Sequence, residues 1–325
     1  MGVYSREILR ALAGLHPGQR FLWYYRPHRV WRALQERLPE NCSRRILWDA
    51  WVPSGCLFHG LNQRMPKRVP RRSVVTFHDL FVLTGDYSTP EFRRRFAAQA
   101  REAALRADLI ICVSQFTAGQ VRDLLHVDPS RLRVVWHGVH PVRELGTVAR
   151  DPVVLHVGAL QKRKNINRLV DAFEQMSSDW TLVLAGAYGY GAEEILSHIR
   201  QSRARNRIRL LGYVDDQRLQ KLYQTAGMLV FPSLDEGFGI PVLEAMAHGL
   251  PVITSNGSAL REVGEGAALL VDPENTDEIA GAMRRLAEDE GLRRDLVRKG
   301  LSRAAAHSWV EAASQTWRVY EQLWN

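Results

Sequence analysis

Residues 231–249 read Phe-Pro-Ser-Leu-Asp-Glu-Gly-Phe-Gly-Ile-Pro-Val-Leu-Glu-Ala-Met-Ala-His-Gly, and they constrain the fold more than any other stretch of the chain. An apolar run at 227–231 is closed by Pro232 and Ser233. Gly237 and Gly239 then make a turn, Pro241 suits a first helical position, and residues 242–247 are good helix formers up to Gly249. The pattern is strand, glycine turn, helix. In a parallel α/β sheet such a turn lies at the carboxyl edge, where the open amides of the helix start face whatever binds there. Glu236 and Glu244 flank this helix mouth. Read singly, Glu236 is a solvated loop carboxylate and Glu244 a first-turn glutamate favoured by the helix dipole. Read with Phe238 between its two glycines, they mark a place for a phosphate or a sugar hydroxyl.

The same alternation recurs along the chain. Apolar runs at 21–25, 45–51, 55–59, 73–79, 108–113, 131–136, 152–157, 180–185, 207–211, 251–254 and 267–271 read as strands. Between them, 93–105, 115–125 (with Ser114 as cap), 166–176, 219–226, 259–263 and the tail from Thr276 read as helices. This is an α/β chain with parallel sheets, and 325 residues suit two domains of about 150 each. The boundary falls in a linker at 144–151, giving domains 1–148 and 149–325. A doubly wound domain normally opens on a central strand. Here the first element is a helix with Tyr4, Ile8, Leu9, Leu12 and Leu15 on one stripe, so the first domain is expected to lack its N-terminal strand.

Charge separates the two halves. Residues 1–150 hold 24 Lys/Arg against 12 Asp/Glu, a balance of +12, and residues 151–325 hold 20 against 23, a balance of −3, which together make the net +9. The basic clusters Arg64, Lys67, Arg68, Arg71, Arg72 and Arg93 to Arg95 have no aromatic side chains interleaved as in RNA-binding motifs. They read as a solvated basic face or one turned to an anionic membrane or a phosphorylated acceptor, with no nucleic acid expected. No apolar run approaches the roughly 18 residues of a membrane span, and no signal peptide is visible. The expected location is cytoplasmic, peripheral to the inner membrane face. Cys42, Cys56 and Cys112 have neither metal-ligand spacing nor an even count, so reduced, partly buried thiols are expected and no metal site is assigned.

Two further motifs sit at strand ends. The run 152–157 leads through Gly158 to Lys162-Arg163-Lys164-Asn165 at a helix entrance, which is either an anion site or a solvated basic loop. As an anion site, Arg163 would fork two phosphate oxygens and Lys164 would supply a compact charge. The run 73–79 ends in His78-Asp79, where the histidine can bond a ligand or Asp79 can cap the next helix. The glycine loop 186–191 approaches a ligand readily, but its spacing is not the dinucleotide-binding one.

Taken in order, His78-Asp79, Arg163-Lys164-Asn165, Gly212-Tyr213-Val214 and the glutamates around Gly237-Phe238-Gly239 resemble the motifs of retaining glycosyltransferases with the GT-B fold. That family, glycosyl transferases group 1 or glycosyltransferase family 4, is typified by bacterial sucrose-phosphate synthases and lipopolysaccharide mannosyltransferases. The likeness runs over nearly the whole chain from Gly2. It implies two Rossmann-like doubly wound domains facing a cleft, with a final helix at 309–323 bracing the first domain. It also implies transfer, with retention, of a hexose, mannose ahead of glucose, in polysaccharide biosynthesis. The donor would be a nucleotide diphosphate sugar, GDP-mannose ahead of UDP- or ADP-glucose, and the acceptor a hydroxyl of a glycan or lipid-linked intermediate. No metal or cofactor is implied. By the resemblance, His78, Arg163, Lys164 and Glu236 are catalytic, and Gly158, Asn165, Tyr213, Val214, Gly237, Phe238, Gly239 and Glu244 bind the donor. Glu236 would position the sugar and Glu244 the ribose. Lys162 stands where proline is common. The absent first strand implies reduced activity, so two other readings stay open: a sugar-nucleotide-binding protein with weak or no turnover, and a basic-surface adaptor for membrane or nucleic acid.

Overall fold

Short β-branched runs separated by glycine turns and amphipathic stretches can bury both faces only as parallel strands covered by helices. The computed structural model, which describes residues 2–27, 34, 36–47, 55–68, 71–142 and 150–324, shows this arrangement twice. One compact unit comprises residues 1–83, 90–138 and 307–325, and the other comprises 84–89 and 139–306.

The first unit opens with α1 (Val3–Leu15), whose Ile8 and Leu12 are fully buried. Next, β1 (Phe21–Tyr25) pairs in parallel with β2 (Cys42–Ile46), Phe21 lying opposite Cys42. The second strand therefore starts ahead of the expected 45–51, because register with β1 fixes it, and residues 48–54 lie outside those described. Then come β3 (Leu57–Gly60), β4 (Arg72–Phe77), α2 (Phe81–Thr84), α3 (Pro90–Arg106), β5 (Leu109–Cys112), α4 (Gln115–Leu125) and β6 (Leu132–Val134). Ser114 caps α4 by accepting the Thr117 amide hydrogen. Strands β3–β4–β5–β6 form one parallel sheet, separate from the β1–β2 pair among the described residues. Val75, Phe77, Ile110 and Cys112 anchor its core.

In the second unit the order is β7 (Val153–Val157), α5 (Ile166–Phe173), β8 (Thr181–Ala185), α6 (Ala192–Gln201), β9 (Ile208–Gly212), α7 (Asp216–Thr225) and β10 (Met228–Phe231). It continues with α8 (Ile240–Ala247), β11 (Val252–Ser255), α9 (Ser258–Gly264), β12 (Leu269–Val271), α10 (Thr276–Glu288) and α11 (Glu290–Ala305). The sheet runs β12–β11–β10–β7–β8–β9, every pair parallel. Winding goes outward from β7 to β9, then returns to β10 on the other side of β7. The strand order reverses between β7 and β10, and open α/β sheets bind ligands beyond the carboxyl ends of the strands at such a point.

Finally α12 (Trp309–Trp324) packs against α1 and β4 of the first unit, where Trp309, Ala313 and Tyr320 join Tyr4, Ile8 and Leu12 in one core. His16 stacks on Trp317 with ring centres 3.6 Å apart. The chain passes between the two units at 83/84, 89/90, 138/139 and 306/307; the sequence reading set domains 1–148 and 149–325, with the final helix bracing the first. The expected linker lies largely in residues 143–149, outside those described. All three cysteines are free, and Cys56 is exposed rather than partly buried. Among the described residues no helix is long and apolar enough to cross a membrane.

Candidate active site

The residues that follow β7 and β10 meet at the switch point. Gly158 leaves β7 at φ +151, in a region that favours glycine. The chain then makes a single 3-10 turn, Lys162–Lys164, and enters α5 through Asn165, which adopts a left-handed conformation at φ 59. Asparagine tolerates that region better than most residues. Its Nδ2 donates to the carbonyl oxygens of Pro232 (3.1 Å) and Pro273 (2.6 Å), tying the basic turn to the loops after β10 and β12. The Leu234 amide donates to the Arg163 carbonyl at 2.9 Å and closes the other side.

Fixed in this way, Arg163, Lys164 and Glu236 form a buried charge cluster. Arg163 Nη1 lies 2.7 Å and Lys164 Nζ 2.5 Å from the same carboxylate oxygen, Glu236 Oε1. Arg163 Nη1 also donates to the Asp235 carbonyl at 2.6 Å, and Lys164 Nζ sits 4.5 Å from the centre of the Phe231 ring. Burial by itself would raise the Glu236 carboxyl, but the neighbouring ammonium and guanidinium outweigh it and hold the pKa at about 2. Glu236 is therefore an anion, and the site keeps two cations beside it.

Gly237, Phe238 and Gly239 carry the chain into α8. Gly239 sits at φ +111, and a Cβ there would come 2.6 Å from Leu260 Cδ2, so any side chain would be strained and would have to push the Leu260 methyl aside. Phe238 is buried. Glu244 belongs to the second turn of α8, not the first as the sequence suggested, because the helix already begins at Ile240. Its Oε2 accepts a hydrogen bond from Tyr223 Oη at 2.9 Å. Burial pushes this carboxyl up to about 7, the Tyr223 hydroxyl opposes the shift, and Asp216 adds to it.

Tyr213 and Val214 follow the edge strand β9, and Tyr213 is 80% exposed. His78 belongs to the first unit, where its Nε2 bonds the Leu61 carbonyl at 2.9 Å and its ring meets those of Tyr4 and His137. Burial holds its imidazole below the usual range, and the Leu61 bond partly offsets this.

Four residues were missed in the sequence. Asp235 is buried and accepts a hydrogen bond from Thr84 Oγ1 at 2.7 Å. Thr84 belongs to the short stretch Thr84–Thr89 that the second unit incorporates. Tyr87 of the same stretch has its hydroxyl pKa raised by burial and by Asp235, with Arg163 opposing. Tyr223 supports Glu244. A carboxylate directly before Glu236 was the one available signal; the Thr84–Thr89 contact has none in local sequence.

Two Rossmann-like units, with basic and acidic side chains gathered at the switch point of the second, define a GT-B-type fold. The comparisons place it more closely. The model for glycosyl transferases group 1 matches residues 142–303, and that for glycosyltransferase family 4 matches residues 14–143. The chain is 30% identical over 297 residues to O-antigen chain mannosyltransferase B of Escherichia coli, covering 86% of this chain and 78% of that protein. Another curated relative is longer, and the chain spans 33% of it. Sucrose-phosphate synthase from Thermosynechococcus elongatus has a similar structure, with a TM-score of 0.81 at 22% identity over 99% of this chain and 93% of that one. Anabaena HepE in complex with UDP-glucose is also similar, with a TM-score of 0.64 at 21% identity over 78% and 72% of the two chains. The chain belongs to the group 1 glycosyltransferases and has the GT-B fold.

Proposed function

We propose that this transferase moves a hexosyl group, mannose before glucose, from a nucleotide diphosphate sugar to a hydroxyl of a glycan or lipid-linked acceptor, with retention at the anomeric carbon. The observation that carries the reading is the buried Arg163–Lys164–Glu236 cluster beside the α8 entrance. In the reaction the bond from the anomeric carbon to the diphosphate oxygen breaks, and a bond to the acceptor oxygen forms on the same face. The acceptor proton leaves with the diphosphate or its solvent. Charge grows on the diphosphate as the sugar becomes oxocarbenium-like, so Arg163 and Lys164 act where the transition state differs most from the ground state. The mannosyltransferase relative supports mannose, while UDP-glucose bound to the structural neighbour keeps a uridine donor in play.

Glu236, released as the cations turn to phosphate, would take sugar hydroxyls, and Glu244 would take the ribose. By the resemblance, His78 would act on the sugar. A thermal-shift screen of GDP-, UDP- and ADP-sugars tests the donor, since a ligand at a hundred times its Kd adds roughly 2.7 kcal/mol. Product NMR then reads the anomeric configuration. Binding with no turnover on any glycan or lipid-linked acceptor would favour a sugar-nucleotide-binding protein instead.

A peripheral membrane contact is a second element of the proposal. Arg94, Arg95 and Arg101 on α3 are exposed, as is Leu105 at 81%. Vesicles with and without anionic lipid, at low and high salt, test it.

A further inference from the structure

His156 is the fourth residue of β7, and its side chain is completely buried. Its Nδ1 lies 3.0 Å from the Val230 carbonyl oxygen, which can only accept. Nδ1 therefore carries the ring hydrogen, and Nε2 presents a lone pair. The ring lies nearly parallel to Phe231, with centres 5.4 Å apart. Burial lowers the imidazole pKa to about 4, so the ring is neutral at pH 7. Nε2 is buried and has no hydrogen-bond partner. Folded proteins rarely leave such an acceptor unused.

Two relationships show what Nε2 faces. A methyl group built on Gly158 would lie 3.7 Å from His156 Nε2 and 3.5 Å from Lys164 Nζ, so both nitrogens border one small space at the β7 bend. The Phe231 ring that stacks on His156 is also the ring beneath the Lys164 ammonium. An ammonium has three hydrogens to place, and a neutral imidazole can accept one without adding charge.

Building on the nucleotide-sugar reading above, we propose that His156 is a positioning residue for Lys164: when a diphosphate draws Lys164 from Glu236, Nε2 accepts one ammonium hydrogen and holds the charge at the mouth of the loop.

Calorimetric titration with GDP, UDP and inorganic pyrophosphate tests this in wild type, His156→Phe, His156→Gln, Lys164→Ala and the His156→Phe/Lys164→Ala pair. His156→Phe keeps a ring on Phe231 but removes the Nε2 acceptor together with the Nδ1 donor to Val230, so its affinity should fall about tenfold or more and its melting temperature should drop with the lost Val230 bond. His156→Gln restores an acceptor and should recover most of the loss. In the Lys164→Ala background the phenylalanine should cost nothing further, because the group it serves is gone. Wild-type affinity in His156→Phe, equal weakness of Phe and Gln, or additive losses in the pair would each overturn the proposal. Wild type that binds none of the three probes overturns the nucleotide reading itself, and this proposal with it. Imidazole 15N shifts give a readout that needs no variant: the His156 Nε2 resonance should move toward the hydrogen-bonded range on GDP or UDP addition, and an unmoved resonance at saturation overturns the proposal.

Discussion

Lys164 Nζ lies 2.5 Å from Glu236 Oε1 across 72 positions of sequence, and Arg163 approaches the same oxygen at 2.7 Å. A single carboxylate oxygen thus holds two cations where little water reaches. Such a cluster is weak evidence for stability, since desolvating the charges costs about as much as their attraction returns. It suits an incoming diphosphate, which brings more negative charge than the carboxylate it displaces.

Arg163→Ala and Lys164→Ala are each expected to weaken nucleoside diphosphate binding by roughly 2 to 4 kcal/mol, as the loss of a buried charge-assisted contact does. Glu236→Gln should behave differently, lowering turnover more than nucleoside diphosphate affinity, because its proposed partner is the sugar. Calorimetry on the three variants beside donor-consumption rates separates the roles; unchanged affinity in both cation variants would remove them from the site.

Glu236 also predicts an acid limit. Its carboxyl sits at about 2 in the folded chain against an ordinary value of 4.5, so the folded state favours the ionised form. That contribution is complete above about pH 4.5 and is lost as the pH falls through 2; its full size is on the order of 3 kcal/mol. Glu236→Gln should flatten the melting temperature between pH 5 and pH 2 relative to wild type. Parallel curves would mean that the pair contributes nothing to the acid transition.

Much of this was legible beforehand, for physical reasons that can be named. β-branched runs closed by glycine, such as 152–157 before Gly158, announce parallel strands because only buried strands tolerate so continuous an apolar face. The basic turn at Arg163 and Lys164 and the acid at Glu236 were visible because each follows such a strand. That they meet follows from sheet order: β7 and β10 are neighbours although two strands and three α-helices separate them in sequence. The Tyr223–Glu244 and Thr84–Asp235 bonds were illegible, since no local pattern records a long-range partner. His156 was read only as part of a strand, because one polar residue in an apolar run does not reveal where its second nitrogen points. The Cys42–Ile46 strand was misplaced because its position depends on pairing with β1.

Gly239→Ala should damage the site more than the fold around it. The residue holds φ +111, where a Cβ is strained, and that Cβ would also meet Leu260 at 2.6 Å. Destabilisation of about 1 to 3 kcal/mol is expected, with the α8 entrance displaced. Nucleotide affinity should drop while far-ultraviolet circular dichroism stays near that of wild type. Unaltered affinity would place the α8 entrance outside the binding surface.

The last prediction concerns Glu244, whose acid behaviour is opposite to that of Glu236. Burial, with a smaller push from Asp216 and against the opposing Tyr223 hydrogen bond, raises its carboxyl to about 7 from an ordinary 4.5, so the folded state favours the protonated form. The stability this contributes is fully present below about pH 4.5 and is lost as the pH rises through 7, on the order of 3 kcal/mol in all. Wild type should therefore lose melting temperature between pH 4.5 and pH 7.5 relative to Glu244→Gln, a window separate from that of Glu236. Binding adds a second sign. A ribose that donates its hydroxyls to Glu244 favours the carboxylate, so nucleotide uptake near pH 6 should release a proton. Calorimetric titration of UDP and GDP in buffers of different ionisation enthalpy reads that proton directly. Its disappearance in Glu244→Gln assigns it to this residue, whereas buffer-independent heats in wild type would show that Glu244 keeps its proton and leaves the ribose to other groups.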